Sequence, residues 1–284
     1  MKITGNRDMK IKETLEINEE QKIFYNKSLG EKKKPLLMKY WSILRKPMYS
    51  LMWHSGIWKD LFNKQLEWMG DLKNKKVLDF GCYSGNDLSI HMAENCKYYL
   101  GIDLSDVAIK KLKEKIANKN IKNAEARAID ILSPEFKENN FDIIYAQGVL
   151  HHFKHMDVIL YTLSDKLSPS GVVITFDPMQ TAITSKIIRA LYHPHRTDKE
   201  WEFPFTKYTF KNIEKYFYIN AVQGVMGYSK WCIPIAFFNY NLALNLTKYS
   251  HKKDLKEATK IGYGFWKCMH VSMCWTKKCG VNTD

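Results

Sequence analysis

Hydrophobic and polar positions change rhythm along the chain. Residues 1–34 are polar and rich in Lys and Glu, closing on the run Gly30-Glu31-Lys32-Lys33-Lys34-Pro35, and read as a partly ordered tail with room for one helix. Between 36 and 70 the residues Leu37, Tyr40, Trp41, Leu44, Met48, Leu51, Met52, Trp58, Leu61, Phe62, Leu66 and Trp68 recur every three or four positions, interrupted at Pro47 and Gly56. That period predicts two or three amphipathic helices packed on the domain that follows. From Lys76 the period shortens. Apolar runs at 76–80, 98–103, 124–129, 141–146 and 172–176 alternate with helical patterns near Leu88–Met92, at 105–119 and at 156–167. Such alternation predicts the α/β class: a doubly wound, mostly parallel sheet with right-handed crossovers and helices on both faces.

Past 178 the alternation breaks. The pattern predicts a helix at 181–192, an irregular basic and aromatic loop at 193–205, a helix at 208–217, a strand at 220–226, an apolar helical insert at 229–265 and a last strand at 268–275. The sheet then has seven strands. The chain divides into a polar tail (1–35), a helical cap (36–70), a core (71–178), a substrate cap that lends 208–226 to the core (179–265), and a last strand with a basic tail (266–284).

Composition narrows the class. Of 284 residues, 45% are apolar and 26% charged, which excludes a disordered or fibrous protein. No run of about 18 apolar residues offers a membrane span, and the charged N-terminus lacks the apolar core of a secretion signal. Cys82, Cys96, Cys232, Cys268, Cys274 and Cys279 are dispersed, without zinc spacing, and read as reduced thiols; we expect a cytoplasmic protein without metal, monomeric or homodimeric. The net charge of +14 suits a nucleic acid, an anionic membrane surface or a phosphorylated substrate, and does not choose among them.

Chemistry enters at the first strand–loop–helix. Gly81 and Gly85 let the backbone pass close to a ligand, ahead of a helix that offers free N–H groups, while Asp79, at the strand's carboxyl end, is expected to face the crevice where such sheets bind ligands. Asp103 ends the next strand, about 20 residues after the loop opens, where an acid can take two ribose hydroxyls. Together with Gly101-Ile102-Asp103-Leu104-Ser105, Phe141–Phe153 and the turn Leu167–Val172, the segment Val77–Gly85 resembles class I S-adenosylmethionine-dependent methyltransferases, with most similarity to the ubiquinone/menaquinone-biosynthesis-type, small-molecule branch.

The resemblance covers 72–178 and implies a Rossmann-like fold with S-adenosyl-L-methionine as cofactor and S-adenosyl-L-homocysteine as product. It implies that Asp79 and the Gly81-Cys82-Tyr83-Ser84-Gly85 loop hold the methionine portion, and that Asp103 binds the ribose with Leu104 beside the adenine. Asp130, backed by Ile131, meets the adenine amino group, and Gln147 borders the methyl group. Tyr83 stands where the family has a small residue. Because a tyrosine does not take positive φ cheaply, either the loop follows a non-glycine path or the ring covers the cofactor.

Transfer to a hydroxyl needs a base. His151 is the first candidate and His152 the second, with Asp177, at the end of the fifth strand, expected to point into the crevice and bind substrate or a histidine, or else to act as a structural cap. The cluster His193, His195, Arg196 and Trp201 suits an anionic or sugar-bearing acceptor, and Tyr40 and Trp41 join it as substrate-binding candidates. The expected acceptor is a small molecule, most simply a hydroxyl of a sugar, glycolipid precursor or specialised metabolite. Against nucleic acid stand the absence of an Asn/Asp-Pro-Pro-aromatic motif and of a Pro-Cys nucleophile. A cofactor-binding pseudoenzyme is the other alternative. The segment 229–246 reads by default as a lid or core packing, with a dimer surface or an interfacial helix as alternatives, in the last case with Lys248, His251, Lys252 and Lys253 as its cationic flank.

Overall fold

Alternate residues of the central strands face opposite sides of one sheet, and this divides the core in two. In a computed structural model that describes residues 2–30, 36–192 and 199–278, Leu78, Leu100 and Ile144 pack on one face, and Val77, Tyr99 and Ile143 on the other. The order is α1 (Lys2–Gly30), α2 (Leu36–His54), α3 (Ile57–Met69), β1 (Lys76–Phe80), α4 (Asp87–Asn95), β2 (Tyr98–Asp103), α5 (Asp106–Asn118), β3 (Ala124–Ala128) and β4 (Phe141–Gln147). There follow α6 (Met156–Lys166), β5 (Leu167–Pro178), α7 (Ile183–Tyr192), α8 (Lys207–Tyr216), β6 (Phe217–Val225), α9 (Ile233–Ala236), α10 (Tyr240–Glu257), α11 (Tyr263–Trp266) and β7 (His270–Lys277). The strands form one sheet in the order β3-β2-β1-β4-β5-β7-β6, parallel except for β7. Helices α4 and α5 place Leu88, Met92, Ile109 and Leu112 on one face; α6 and α8 place Ile159, Leu163, Phe210 and Ile213 on the other.

The N-terminus departs from the tail expected of it. Residues 2–30 form a single helix, α1, packed against α5 and α6. Its inward stripe is Thr14, Asn18 and Gln21, all buried and all polar, so no hydrophobic period marks it. Hydrogen bonds seat it instead: Asn18 Nδ2 donates to Asp130 Oδ2 at 2.7 Å, and Asn26 Oδ1 accepts from Ser105 Oγ at 2.7 Å. Ion pairs of Lys10 with Asp157 and of Glu13 with Lys154 and His155 lie nearer the surface and add little.

The 36–70 cap is also revised. Pro47 sits inside α2 without ending it, and Gly56, at φ 90°, makes the break. Helix α3 lies on β5 and β7, with Ile57, Leu61 and Met69 buried and Gln65 Nε2 donating to Ser272 Oγ, so this half of the cap is a layer of the core. The expected turn at Ser168–Gly171 falls within β5, as an irregularity where pairing passes from Phe141↔Leu167 to Ile143↔Val172.

The 229–265 insert is tied down by one buried carboxylate. Asp254 of α10 accepts from Gly227 N, Tyr228 N, Ser229 N and Ser229 Oγ at 3.2, 2.6, 3.1 and 2.7 Å. These donors belong to the turn leaving β6, where Met226 stands at φ 60°. Asp254→Ala would leave three N–H groups, two of them on buried residues, without an acceptor, so a loss of about 3–5 kcal/mol and a melting point lower by roughly 10 °C are expected in thermal unfolding. An unchanged melting point would show that the tie carries no load. His251, expected among surface cations, is instead buried, with Nε2 3.0 Å from Asp60 Oδ2. Among the described residues no helix is long and apolar enough to cross a membrane.

Candidate active site

The chain leaves β1 for β2 and β3 on one side of the sheet and returns to place β4 on the other, which opens a crevice at the carboxyl ends of β1 and β4. The cleft found there is lined by Phe80 and Gly81 at the end of β1, Ile102–Leu104 at the end of β2, Ile129–Ile131 after β3 and Gln147–Val149 at the end of β4. Tyr83, His152 and Phe153 complete its walls, and Asn18, Gln21 and Tyr25 of α1 cover it.

The loop after β1 is held by β2. Gly81 N and Cys82 N both donate to Ile102 O, at 2.9 and 3.0 Å, and Tyr83 N donates to Asp103 Oδ2 at 2.8 Å. Reaching Asp103 puts Tyr83 itself at φ 50°, so the loop does follow the left-handed path and a tyrosine bears it, at a cost of about 1–2 kcal/mol. Its ring stands 45% exposed on the cleft wall. Gly81 has φ 68°, and a Cβ there would meet Val149 Cγ2 at 2.5 Å; Gly85 has φ 71°, and a Cβ there would meet Leu112 Cδ1 at 2.7 Å. The first glycine therefore shapes the cleft, while the second lets α5 approach.

Two carboxylates face the cavity. Asp103 Oδ1 accepts from Ser105 N at 2.8 Å, and Asp130 Oδ1 accepts from Leu132 N at 2.8 Å. Burial raises both pKa values, and the backbone and Asn18 hydrogen bonds oppose it. Each oxygen keeps lone-pair capacity for a hydroxyl or amino donor beyond the bond it already accepts. A cleft with one acid at the end of β2, a second acid with a backbone turn after β3, and a glycine floor fits an adenosine-bearing ligand of matching donors.

The two histidines after β4 lie ring beside ring, with centroids 4.1 Å apart, but have different partners. His151 is buried, its Nδ1 2.8 Å from Asp177 Oδ1 and its Nε2 3.9 Å from Glu202 Oε1, and neither His151 nor Asp177 lines the cleft. Burial pushes the Asp177 carboxyl well above the carboxylate range. His152 does line the cleft. Its Nδ1 lies 3.0 Å from the Trp201 carbonyl oxygen, which can only accept, so Nδ1 carries the proton and Nε2 of the neutral ring is an acceptor. Trp201 in turn meets Phe24 of α1 edge to face at 5.4 Å.

Residues 71–217, half of the chain, match the family model for a methyltransferase domain. The chain belongs to that family. Its fold is the one seen in solved methyltransferases crystallised with S-adenosylhomocysteine. The solved structure of coclaurine N-methyltransferase superposes with a TM-score of 0.51 at 16% identity, covering 76% of this chain and 71% of the other. The cyclase SpnF gives 0.53 at 14%, covering 78% and 81%, so at this distance the fold is shared and the reaction need not be.

Among curated relatives, phosphoethanolamine N-methyltransferase 1 of Triticum aestivum is 32% identical over 109 residues, 38% of this chain and 22% of that protein. A tRNA U34 carboxymethyltransferase of Helicobacter pylori is 27% identical over 208 residues, 72% of this chain and 70% of that protein. Uncharacterized proteins of Haemophilus influenzae and Rickettsia prowazekii match over 44% and 42% of their length, so the match spans less than half of those relatives.

Of the residues singled out in the sequence, Gly81, Tyr83, Asp103, Leu104, Asp130, Ile131, Gln147 and His152 line one cleft. Asp79, Cys82 and Gly85 lie behind its surface. Tyr40 and Trp41 belong to α2, with no side chain described, and His193, His195 and Arg196 fall outside the described residues. Asn18, Gln21, Tyr25, Val149 and Glu202 were missed; the spacing of Asn18, Gln21 and Tyr25 was the signal available for α1. Among the described residues no group of three or more His, Cys, Asp or Glu side chains is placed to hold a metal ion.

Asp79 contributes a pH dependence. Burial pushes its carboxyl up from 3.8 to about 6, against the Tyr99 hydroxyl that donates to it at 2.6 Å. The folded state therefore binds this proton more tightly than the unfolded chain, a contribution present in full below pH 3.8 and lost as pH rises through about 6. Between pH 4 and 7 the ligand-free protein should lose on the order of 3 kcal/mol relative to Asp79→Asn, measured by urea unfolding of both. A gap between the two that does not vary with pH would contradict this environment for Asp79.

Proposed function

We propose that the chain is a methyltransferase that binds S-adenosylmethionine in this cleft and transfers its methyl group to a small-molecule acceptor. The observation that carries the reading is the convergence of Asp103, Asp130 and the Gly81 turn on one cavity at the switch point of the sheet. Asp103 would take the ribose hydroxyls and Leu104 the adenine face, Asp130 with Ile131 the adenine edge, and Gln147 with the Gly81 turn the methionine end. Asn86 Nδ2 donates to Gln147 Oε1 at 3.1 Å, which fixes the Gln147 amide. The sulfonium supplies an electrophilic methyl group; the protein's share is alignment, exclusion of water and acceptance of a proton.

For a hydroxyl acceptor, His152 Nε2 is the base this geometry supports, while His151, held between Asp177 and Glu202, positions the turn that carries it. A hydroxyl of a sugar, glycolipid precursor or specialised metabolite remains the acceptor class of this reading, with Trp201, whose carbonyl orients His152, and the 179–265 insert toward the acceptor. His152→Asn is expected to lower turnover by about 10²–10⁴-fold while leaving cofactor affinity within about twofold. Unchanged turnover would remove His152 as the base.

One observation favours a second reading, methyl transfer to RNA: the similarity to the Helicobacter pylori tRNA enzyme over 72% of the chain, with a net charge of +14 beside it. Incubating the protein with methyl-tritiated S-adenosylmethionine and a cell extract separates the two. Label in the small-molecule fraction supports the first, and label in ribonuclease-sensitive polymer replaces it with the second.

A further inference from the structure

Helix α10 has two sides that differ in kind. Ala243, Thr247, His251 and Asp254 are buried against the protein. On the outward side Leu242, Leu246 and Tyr249 follow one another at intervals of four and three, all exposed, and Phe238, in the turn two residues before the helix, is 93% exposed. Phe237 and Trp231 are also exposed close by in sequence. Lys248, Lys252 and Lys256 are exposed along the last turns of the same helix.

We propose that this face of the insert, from Phe238 to Lys256, docks on the surface of an anionic lipid bilayer. A helix with aromatic and leucine side chains on one stripe and lysines beside it matches what such a surface offers: apolar depth below the headgroups and negative charge at them. Charge complementarity decides the occupant. A second copy of a chain with net charge +14 would bring lysines against lysines, and a nucleic acid would use the lysines while leaving Phe238, Leu242 and Leu246 in water. The site lies apart from the adenosyl cleft, none of whose lining residues belongs to α9 or α10.

The test is co-sedimentation of the full chain with phosphatidylcholine vesicles, with and without phosphatidylserine. Binding is expected only when phosphatidylserine is present, and it should weaken as salt is raised. The double variant Phe238→Glu/Leu242→Glu should lower the partition coefficient at least about tenfold, with an unchanged circular dichroism spectrum, melting point and cofactor affinity. Lys248→Ser/Lys252→Ser/Lys256→Ser should lose the dependence on phosphatidylserine. Equal binding of the Glu variant, or no preference for the anionic vesicles, would overturn the proposal. So would a wild-type dimer that the Glu variant turns into monomer without any vesicle binding, or binding to RNA in place of vesicles.

Discussion

Asp103→Ala is expected to weaken S-adenosylhomocysteine binding by at least about a hundredfold with little change in stability. Two hydroxyl donors to one ionised carboxylate contribute about 1.5–3 kcal/mol each, and their joint loss exceeds two decades in affinity. Burial raises the Asp103 pKa, so ionising this carboxyl costs the ligand-free fold some stability. Removing it relieves that cost while stripping Tyr83 N and Ser105 N of their acceptor, and the two effects on folding oppose one another. Asp103→Asn should fall between, because one acceptor oxygen survives. Calorimetric titration of the three proteins, beside their melting curves, reads both quantities. Equal affinity in wild type and Asp103→Ala would detach the ribose from this residue.

Gly81→Ala is expected to be the more damaging to the fold. Its φ of 68° strains any side chain by about 1–2 kcal/mol, and the new Cβ would stand 2.5 Å from Val149 Cγ2 and 2.7 Å from Val149 Cβ, which together add about 1–3 kcal/mol. Gly148 supplies the control within the same cleft, since it has φ 69° and nothing within 4 Å of its Cβ position. Gly148→Ala should therefore show the backbone strain alone. The difference in unfolding free energy between the two variants measures the clash. Equal losses in both variants would contradict the close approach of Val149 to Gly81.

The layered core was legible because its strands carry the signal twice, as short apolar runs and as the glycine or acid that ends them. Val77–Phe80 before Gly81 and Tyr98–Ile102 before Asp103 report both the element and the side of the sheet on which a ligand sits. Where one signal was missing, the reading slipped. Helix α1 buries Thr14, Asn18 and Gln21, so its seating by hydrogen bonds to Asp130 and Ser105 has no trace in hydrophobic periodicity. Tyr83 broke a rule of local conformation because a tertiary bond, its N–H to Asp103, outweighs the strain at φ 50°.

The histidine pair shows the limit of adjacency. In the short 3-10 turn after β4 the two rings lie side by side, with centroids 4.1 Å apart, yet His151 meets Asp177 and only His152 lines the cleft, a choice that spacing does not disclose. His251 likewise sat within a run of lysines and was taken for one of the surface cations, while the helix turns it inward to Asp60.

Titration calorimetry of the purified wild-type chain with S-adenosylhomocysteine addresses the whole account at once. One saturable site per chain, with a dissociation constant in the micromolar range, is the result it requires; the absence of any saturable heat, in a protein shown to be folded by its melting curve, would contradict the assignment of the cleft.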